Sequence, residues 1–235
     1  MRKFFLTALI GLVTVSAFAK SVLIFSKTAG YHHASIAAGI PAIIKLGHEN
    51  GFSVDTTTNA ALFTESNLKK YDAVIFLSTT GDVLNDEQQE AFKKYIESGK
   101  GFVGVHAATD TEYDWPWYGD LVGAYFKSHP KQQQATFHVV DRSFIATKHL
   151  PETWSRFDEL YNFKYIAKGL HILITIDEKS YTGGENGENH PMSWYHNYDG
   201  GRAFYTELGH TDESYTDPLY LKHLLGGIKY AAKIK

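Results

Sequence analysis

The sequence predicts an α/β fold built on a mainly parallel central sheet. Short apolar runs at residues 21–25, 71–77 and 101–105 are typical of strands covered on both faces. Segments with apolar residues at helical spacing lie between the runs, at 36–48 and 85–99. This alternation of strands and helices implies right-handed crossovers and a parallel sheet.

The individual elements of the first half follow from local signals. Gly51 ends the first helix, and residues 52–57 predict a further strand. Asn85 and Gln88 form a capping-box pattern at the start of the second helix, which ends at Gly99.

Beyond Gly119 the pattern changes, because strand-like segments are separated by loops. These segments are residues 135–140, 170–176, 192–195 and 202–208. They predict an extension of the sheet at an edge, partly antiparallel. A closing helix over residues 217–233 is expected to bury a stripe formed by Leu221, Leu224, Leu225 and Ile228.

The N-terminus is typical of a secretory signal peptide. Arg2 and Lys3 precede an apolar run, and small residues follow at Ala17 and Ala19. A retained anchor is the alternative, but the run is short for a bilayer span of about 20 residues. We therefore expect a signal peptide over residues 1–19 and a single domain over residues 20–235. The mature protein is expected to be periplasmic or extracellular, without a membrane association.

Composition excludes several function classes. The net charge of −3 provides no basic surface for nucleic acid, and the absence of cysteine excludes disulfides and thiolate catalysis. Aromatic residues make up 14% of the chain, and there are 12 histidines. Aromatic rings suit sugar faces, and imidazoles suit metals or proton transfer, but both also occur in cores and loops.

Histidines follow two of the predicted strands. His32 and His33 come after the first strand, and His106 ends the fourth. Ligands of open parallel sheets bind at the carboxyl ends of strands. Residues 104–108 resemble a nucleophile elbow in which His106 has the nucleophile's position. His106 could bind a metal, move a proton, or be a hydrogen-bonded core residue.

Later loops add further polar groups, notably His129, Glu159, His190, Arg202 and His210. Pro130 and Pro191 favour extended loop backbone at the two histidines that precede them. No metal signature of fixed spacing is present in the sequence. Imidazoles with a carboxylate would nevertheless suit a divalent ion such as zinc or manganese.

These residues resemble the ThuA-like (trehalose utilisation) family, which is related to the class I glutamine amidotransferase and flavodoxin-like folds. The matching stretches are YHHASI at 31–36, GKGFVGVHAATD at 99–110, WY at 117–118, GAYF at 123–126, HP at 129–130, DELY at 158–161, HPMSW at 190–194 and GRAFYTELGH at 201–210. The resemblance implies a three-layer sandwich with a mainly parallel central sheet.

The sequence departs from the family pattern at two places, and from the related amidotransferases at a third. His32 stands where the family usually has arginine, and residues 142–144 replace a second His-Pro. His106 replaces the amidotransferase cysteine, so glutaminase chemistry is not expected.

The resemblance implies an exported carbohydrate-active protein, which would act on oxidised (3-keto) glycosides or disaccharides. Metal-assisted or histidine-mediated proton abstraction would lead to isomerisation, elimination or hydrolysis. The expected catalytic residues are His106, Glu159 and Arg202. The expected substrate-binding residues are Tyr31, Asp110, Trp117, Tyr118, Tyr161 and Trp194. The expected metal ligands are His33, His129, His190 and His210.

Two other functions remain open from the sequence. One is a non-catalytic sugar-binding module on the same fold, and the other is a structural protein whose histidines fill polar loops. The expected partner is a small carbohydrate, a homo-oligomer stays open, and no nucleotide cofactor is expected.

Overall fold

A nine-stranded mixed sheet lies at the centre of the protein in a computed structural model, which describes residues 20–235. The strands are β1 Lys20–Phe25, β2 Phe52–Thr57, β3 Ala73–Leu77, β4 Gly101–Val105, β5 Ala124–Ser128, β6 Gln133–Val139, β7 Thr153–Asp158, β8 Asn162–Ile166, β9 His171–Ile176, β10 Pro191–Tyr198 and β11 Gly201–Thr206. Their order in the large sheet is β2-β1-β3-β4-β11-β10-β9-β6-β7, and β5 and β8 form a separate pair.

One half of the sheet is parallel and the other half is antiparallel. Strands β2, β1, β3, β4 and β11 run in the same direction. Strands β10, β9, β6 and β7 each reverse the direction of the preceding neighbour. The predicted α/β fold with a mainly parallel, mixed sheet is therefore confirmed.

Helices cover both faces of the sheet. They are α1 Ile36–Asn50, α2 Glu65–Leu68, α3 Asp86–Glu97, α4 Pro116–Val122 and α5 Pro218–Ala232. One apolar core lies under α1 and α5 and includes Ile43 and Ile228. A second core lies under α3 and α4 and includes Phe92 and Leu121. The central strands are apolar on both sides because each of their faces is covered.

The predicted helix signals are present in the structure. The side chain of Asn85 accepts from the backbone of Gln88, and the side chain of Gln88 accepts from the backbone of Asn85, both at 3.0 Å. Gly51 ends α1 with a φ of 74°. Leu224 and Ile228 of the predicted α5 stripe are buried, whereas Leu221 and Leu225 are half-buried.

Strand β11 differs from the prediction in its position. Residues 202–208 were expected to extend the edge of the sheet, but β11 is inserted between β4 and β10 and runs parallel to β4. Helix α5 crosses β11 closely at Gly227, where an added Cβ would lie 2.2 Å from the Phe204 ring. Strands β5, β7 and β8 had no sequence prediction.

The structure does not test two of the predictions. The predicted signal peptide, residues 1–19, lies outside the described residues, and the single domain over residues 20–235 stays a prediction. Among the described helices, none combines the length and the apolar character that crossing a bilayer requires.

Acid should destabilise the fold through His223, a fully buried residue of α5. Its Nδ1 lies 2.9 Å from the carbonyl oxygen of Ala146, and burial lowers the pKa of His223 from 6.5 to about 3. The neutral ring is favoured in the folded state, so its contribution is complete above pH 6.5 and is lost as the pH falls toward 3. We expect this group to lower the free energy of unfolding by about 2 kcal/mol between pH 7 and pH 5.

Urea denaturation at these two pH values tests the prediction. His223→Asn keeps an N–H donor but cannot titrate, so its loss of stability between pH 7 and pH 5 should be smaller by that amount. His138→Asn, at an exposed position, is the matched control. An unchanged pH dependence in His223→Asn would contradict the assignment.

Candidate active site

Three imidazoles and a carboxylate meet at the carboxyl ends of the parallel strands. They belong to His33, His106, Glu159 and His210, and one ligand atom from each lies within 4.8 Å of the others. His33, His106 and Glu159 are buried, and His210 is only slightly exposed.

The strand directions explain why these four residues meet. His33 lies in the loop after β1, His106 directly follows β4, and His210 follows β11. These three strands are parallel, so their carboxyl ends share one edge. Glu159 follows β7, which the successive reversals of the antiparallel half bring back to the direction of β11. Both halves of the sheet therefore contribute to the cluster.

His106 occupies a strained turn. Its φ is 49°, in the left-handed region that non-glycine residues rarely adopt. This agrees with the elbow expected from residues 104–108. The turn buries the ring, whose Nδ1–H donates to the carbonyl oxygen of Glu207 at 2.8 Å. The other ring nitrogen, Nε2, faces the cluster, 3.0 Å from His210 Nδ1 and 3.4 Å from Glu159 Oε2.

Glu159 bridges two imidazoles. Its Oε2 lies 3.0 Å from His210 Nδ1, and its Oε1 lies 3.2 Å from His129 Nδ1. Burial raises the pKa of Glu159, but hydrogen bonds from His106 and His210 outweigh that effect and hold the pKa below its ordinary value. The carboxylate is therefore ionised at neutral pH.

Asp158 fixes the backbone of two cluster residues. Its Oδ1 accepts from the backbone N–H of Glu159 at 3.1 Å and from that of His210 at 3.2 Å. Its Oδ2 accepts from the backbone of Gly209 at 3.3 Å. One buried carboxylate thus joins the loop after β7 to the loop after β11.

His33 has a ring nitrogen that is free to bind a metal. Its Nδ1 is buried and has no hydrogen-bond partner. Burial, followed by the nearby His106 and His210, lowers the pKa of His33 from 6.5 to about 3. His33 is therefore a neutral imidazole with a free nitrogen, which is the form that binds a metal.

The four residues fit a divalent metal ion. Three imidazoles and one carboxylate form a donor set suited to zinc or manganese. The Nδ1–H bond from His106 to a carbonyl oxygen is the type of contact that orients a metal-binding imidazole. The side-chain amide nitrogen of Gln132 lies 2.6 Å from His210 Nε2, which leaves the His210 proton on Nδ1. Metal binding at Nδ1 would require this proton to move to Nε2, where the side-chain oxygen of Gln132 could accept it after the amide turns.

Four other predicted residues surround the cluster. His129 contacts Glu159, and the Tyr161 ring lies 4.4 Å from the His106 ring, measured between centroids. Tyr31 is 67% exposed, and its ring packs against His33 at 4.8 Å. Asp110 is half-buried and ends a short 3-10 helix, His106–Asp110.

The structure does not bring His190 and Arg202 to the cluster. His190 is buried behind Tyr161, with its Nε2 2.8 Å from the Tyr161 carbonyl and its Nδ1 2.8 Å from Glu178 Oε1. Arg202 lies at the start of β11, and its Nη1 donates to the carbonyl oxygen of Tyr230 at 3.2 Å. Because the cluster lies beyond the opposite end of β11, Arg202 is far from the chemistry predicted for it.

Three expected substrate-binding aromatics also lie elsewhere. Trp194 and Tyr118 are fully buried and donate to the carbonyl oxygens of Val122 and Ala108. Trp117 donates to Asp199 in the turn between β10 and β11. This turn lies at the amino end of β11, whereas the cluster lies at the carboxyl end. These residues therefore form no aromatic wall beside the cluster.

Glu207 is a buried site residue that the sequence reasoning did not select. Its Oε1 accepts from the backbone of Tyr161 at 3.1 Å and lies 3.7 Å from His106 Nδ1. Burial, followed by the nearby Asp158, raises the pKa of Glu207 well above its ordinary value. The sequence pattern that could have identified Glu207 is a carboxyl group at the end of an apolar strand. No sequence pattern points to Gln132 or to its contact with His210.

Comparisons with known proteins agree with this architecture. A family model described as ThuA, trehalose utilisation, matches residues 21–231. A ThuA-like protein from Bacteroides uniformis is 23% identical, with 94% of this chain and 95% of that chain covered and a TM-score of 0.76. A ThuA-like protein from Parabacteroides merdae is 22% identical, with 91% and 90% covered and a TM-score of 0.69.

A region of a β-galactosidase from Rahnella sp. R3 has a similar fold. It is 16% identical, with a TM-score of 0.60, and the match covers 92% of this chain but 32% of that chain. No curated protein matches this chain. The structural similarities support the fold, and the family match extends over most of the sequence. This chain therefore belongs to the ThuA family, described as trehalose utilisation.

Proposed function

We propose that this protein is a metal-assisted enzyme that removes a proton beside the carbonyl group of an oxidised sugar. The substrate class is a 3-keto glycoside or disaccharide. The observation that carries this proposal is the buried set of four donors, His33, His106, Glu159 and His210. Membership of a family described as trehalose utilisation supports a sugar as the substrate.

These four residues would hold a divalent ion such as zinc or manganese. When bound, the ion would polarise a substrate carbonyl oxygen and so acidify the neighbouring C–H group. The orphan Nδ1 of His33 supports this assignment, because a buried nitrogen without a partner is costly unless something binds it.

His129 is the proposed proton acceptor. Its Nδ1 lies 2.9 Å from the carbonyl oxygen of Pro130 and 3.2 Å from Glu159 Oε1, so two acceptors hold the proton at that nitrogen. In the neutral tautomer that these contacts favour, the Nε2 atom carries no proton. The side chain is 42% exposed, so a substrate can reach the ring. His129, predicted as a ligand, is thus better suited to act as a general base.

Aromatic rings beside the cluster would contact the sugar. Tyr161 packs against both His106 and Phe126, with ring centroids 4.4 Å and 4.3 Å apart. Tyr31 offers an exposed ring beside His33. Such faces suit the C–H surfaces of a sugar. The signal-peptide pattern of residues 1–19 supports a location outside the cytoplasm.

Proton exchange in heavy water tests the proposal directly. The purified protein is stripped with a chelator, reloaded with zinc or manganese, and incubated with 3-keto trehalose or with trehalose. We expect deuterium incorporation or cleavage of the keto sugar alone, and only after metal is restored. If neither deuterium incorporation nor cleavage occurs with zinc or with manganese, the proposal of an enzyme is wrong. Saturable sugar binding without turnover would instead support the sugar-binding module.

A further inference from the structure

The loop between β5 and β6 contacts the cluster with two exposed side chains. His129 Nδ1 lies 3.2 Å from Glu159 Oε1. The side-chain amide nitrogen of Gln132 lies 2.6 Å from His210 Nε2. Glu159 is buried and His210 is only slightly exposed, whereas both loop residues are exposed. The loop therefore covers two of the four donors from the solvent side.

Gln133 holds the backbone next to Gln132 in place. The Gln133 side chain donates to the carbonyl oxygen of Thr182 at 2.9 Å and accepts from the Thr182 backbone N–H at 3.0 Å. It also donates to the carbonyl oxygen of Lys131 at 3.0 Å. Gln132 thus reaches the cluster from an anchored backbone, while its own exposed amide can rotate about its terminal bond.

The orientation of His210 determines which of its nitrogens a metal would take. Nδ1 lies 3.0 Å from His106 Nε2 and 3.0 Å from Glu159 Oε2, so it faces the other donors of the cluster. Nε2 faces Gln132 instead. A neutral imidazole carries one proton, and the nitrogen that binds a metal carries none. Metal binding at Nδ1 therefore places the His210 proton on Nε2.

The amide of Gln132 can serve either tautomer of His210 because it carries both a donor and an acceptor. With the proton on Nδ1, the amide N–H donates to the unprotonated Nε2. With the proton on Nε2, the amide oxygen accepts from it after a half-turn of the amide. An N–H group without an acceptor is costly, so this contact favours the tautomer that metal binding needs.

We propose that Gln132 is a positioning residue of the metal site, whose amide orients His210 and stabilises the Nε2–H tautomer in which Nδ1 binds the ion. The inference rests on the divalent-ion site of the proposed function, and not on the sugar chemistry. Metal-binding imidazoles are commonly oriented by a carboxylate, a backbone carbonyl or water. A glutamine supplies the same kind of acceptor without adding a negative charge to the site.

Two substitutions with opposite expected effects test this role. Gln132→Leu removes the acceptor and should bind zinc about 10-fold more weakly than wild type. Gln132→Glu supplies a stronger acceptor and should bind zinc about 10-fold more tightly. Zinc affinity is measured on the purified proteins by competition with a chromophoric chelator at one fixed pH. A side chain that only supports the loop would not give effects of opposite sign.

Gln134→Glu is the matched control, because it makes the same change at an exposed position of β6 two residues away. Its zinc affinity should differ from that of wild type by less than about 2-fold, since salt screens an exposed charge. Equal affinities in wild type and both Gln132 variants would overturn the positioning role alone. An equally large gain in Gln134→Glu would also overturn it, because charge rather than the contact would explain the effect.

NMR of the histidine rings gives a second readout without turnover. Zinc should move the His210 proton from Nδ1 to Nε2 in wild type, which the ring nitrogen shifts record after assignment with His210→Asn. Bound zinc with the proton still on Nδ1 would overturn the proposal. A wild-type protein that binds neither zinc nor manganese would overturn the metal site and this inference together. The expected zinc affinities without sugar turnover would support the positioning role and contradict only the proposed enzyme.

Discussion

If the proposed function is correct, His106→Asn will lose the metal proposed for the cluster and will process a keto glycoside at least about 100-fold more slowly than wild type. Loss of a contact that only orients a metal ligand typically costs about 10- to 100-fold in metal affinity or activity, so loss of the ligand itself should cost more. Asparagine is chosen because it tolerates the left-handed backbone at this position, where φ is 49°. The fold should therefore survive the substitution.

Elemental analysis of the purified variant, followed by the heavy-water assay, measures both effects. His138→Asn is the control, since His138 is an exposed histidine of β6, outside the cluster. Equal metal content in His106→Asn and wild type would remove His106 from the ligand set. Retained metal with lost turnover would give His106 a role in proton transfer.

Trp194→Ala is expected to lower the free energy of unfolding by about 3–5 kcal/mol, the usual range for removal of a large buried aromatic side chain. Trp194 is fully buried, stacks on Tyr205 with centroids 4.4 Å apart, and donates to Val122 at 2.9 Å. The substitution leaves a cavity and an unpaired carbonyl oxygen in the core between the sheet and α4.

Urea denaturation with Trp117→Ala as the comparison tests this structural role. Trp117 is half-buried and bonded to Asp199, so its loss should cost only about 1 kcal/mol. Sugar turnover should be unchanged in Trp117→Ala. A Trp194→Ala protein of normal stability, or one with a specific loss of sugar binding, would restore the substrate-binding role expected from the sequence.

The sequence predicted the parallel half of the fold well because its signals are local. Apolar runs, the Asn85 capping box and Gly51 each act within a few residues. The insertion of β11 between β4 and β10 depends on pairing between residues about a hundred positions apart, such as Arg202 with Gly101. No local pattern distinguishes that arrangement from an edge strand.

The positions of the histidines could be predicted from the sequence more easily than those of the aromatic residues. His33 and His106 follow strands, and parallel strands end at one edge, so their proximity follows from topology. Arg202 begins a strand rather than ending it, which places it at the other edge. Trp117 and Trp194 are the same residue type, and only the tertiary structure separates the half-buried ring from the fully buried one.

The late position of β11 in the chain has a consequence for biosynthesis. This strand completes the middle of the sheet, yet it is followed only by α5 among the major elements. Sheets that depend on such distant pairings fold slowly. A chain still being synthesised up to residue 200 has neither β11 nor His210, so the parallel half cannot yet join the antiparallel half. The proposed metal site, His33, His106, Glu159 and His210, is therefore complete only after nearly the whole polypeptide has been made, and metal uptake at this site would report completed folding.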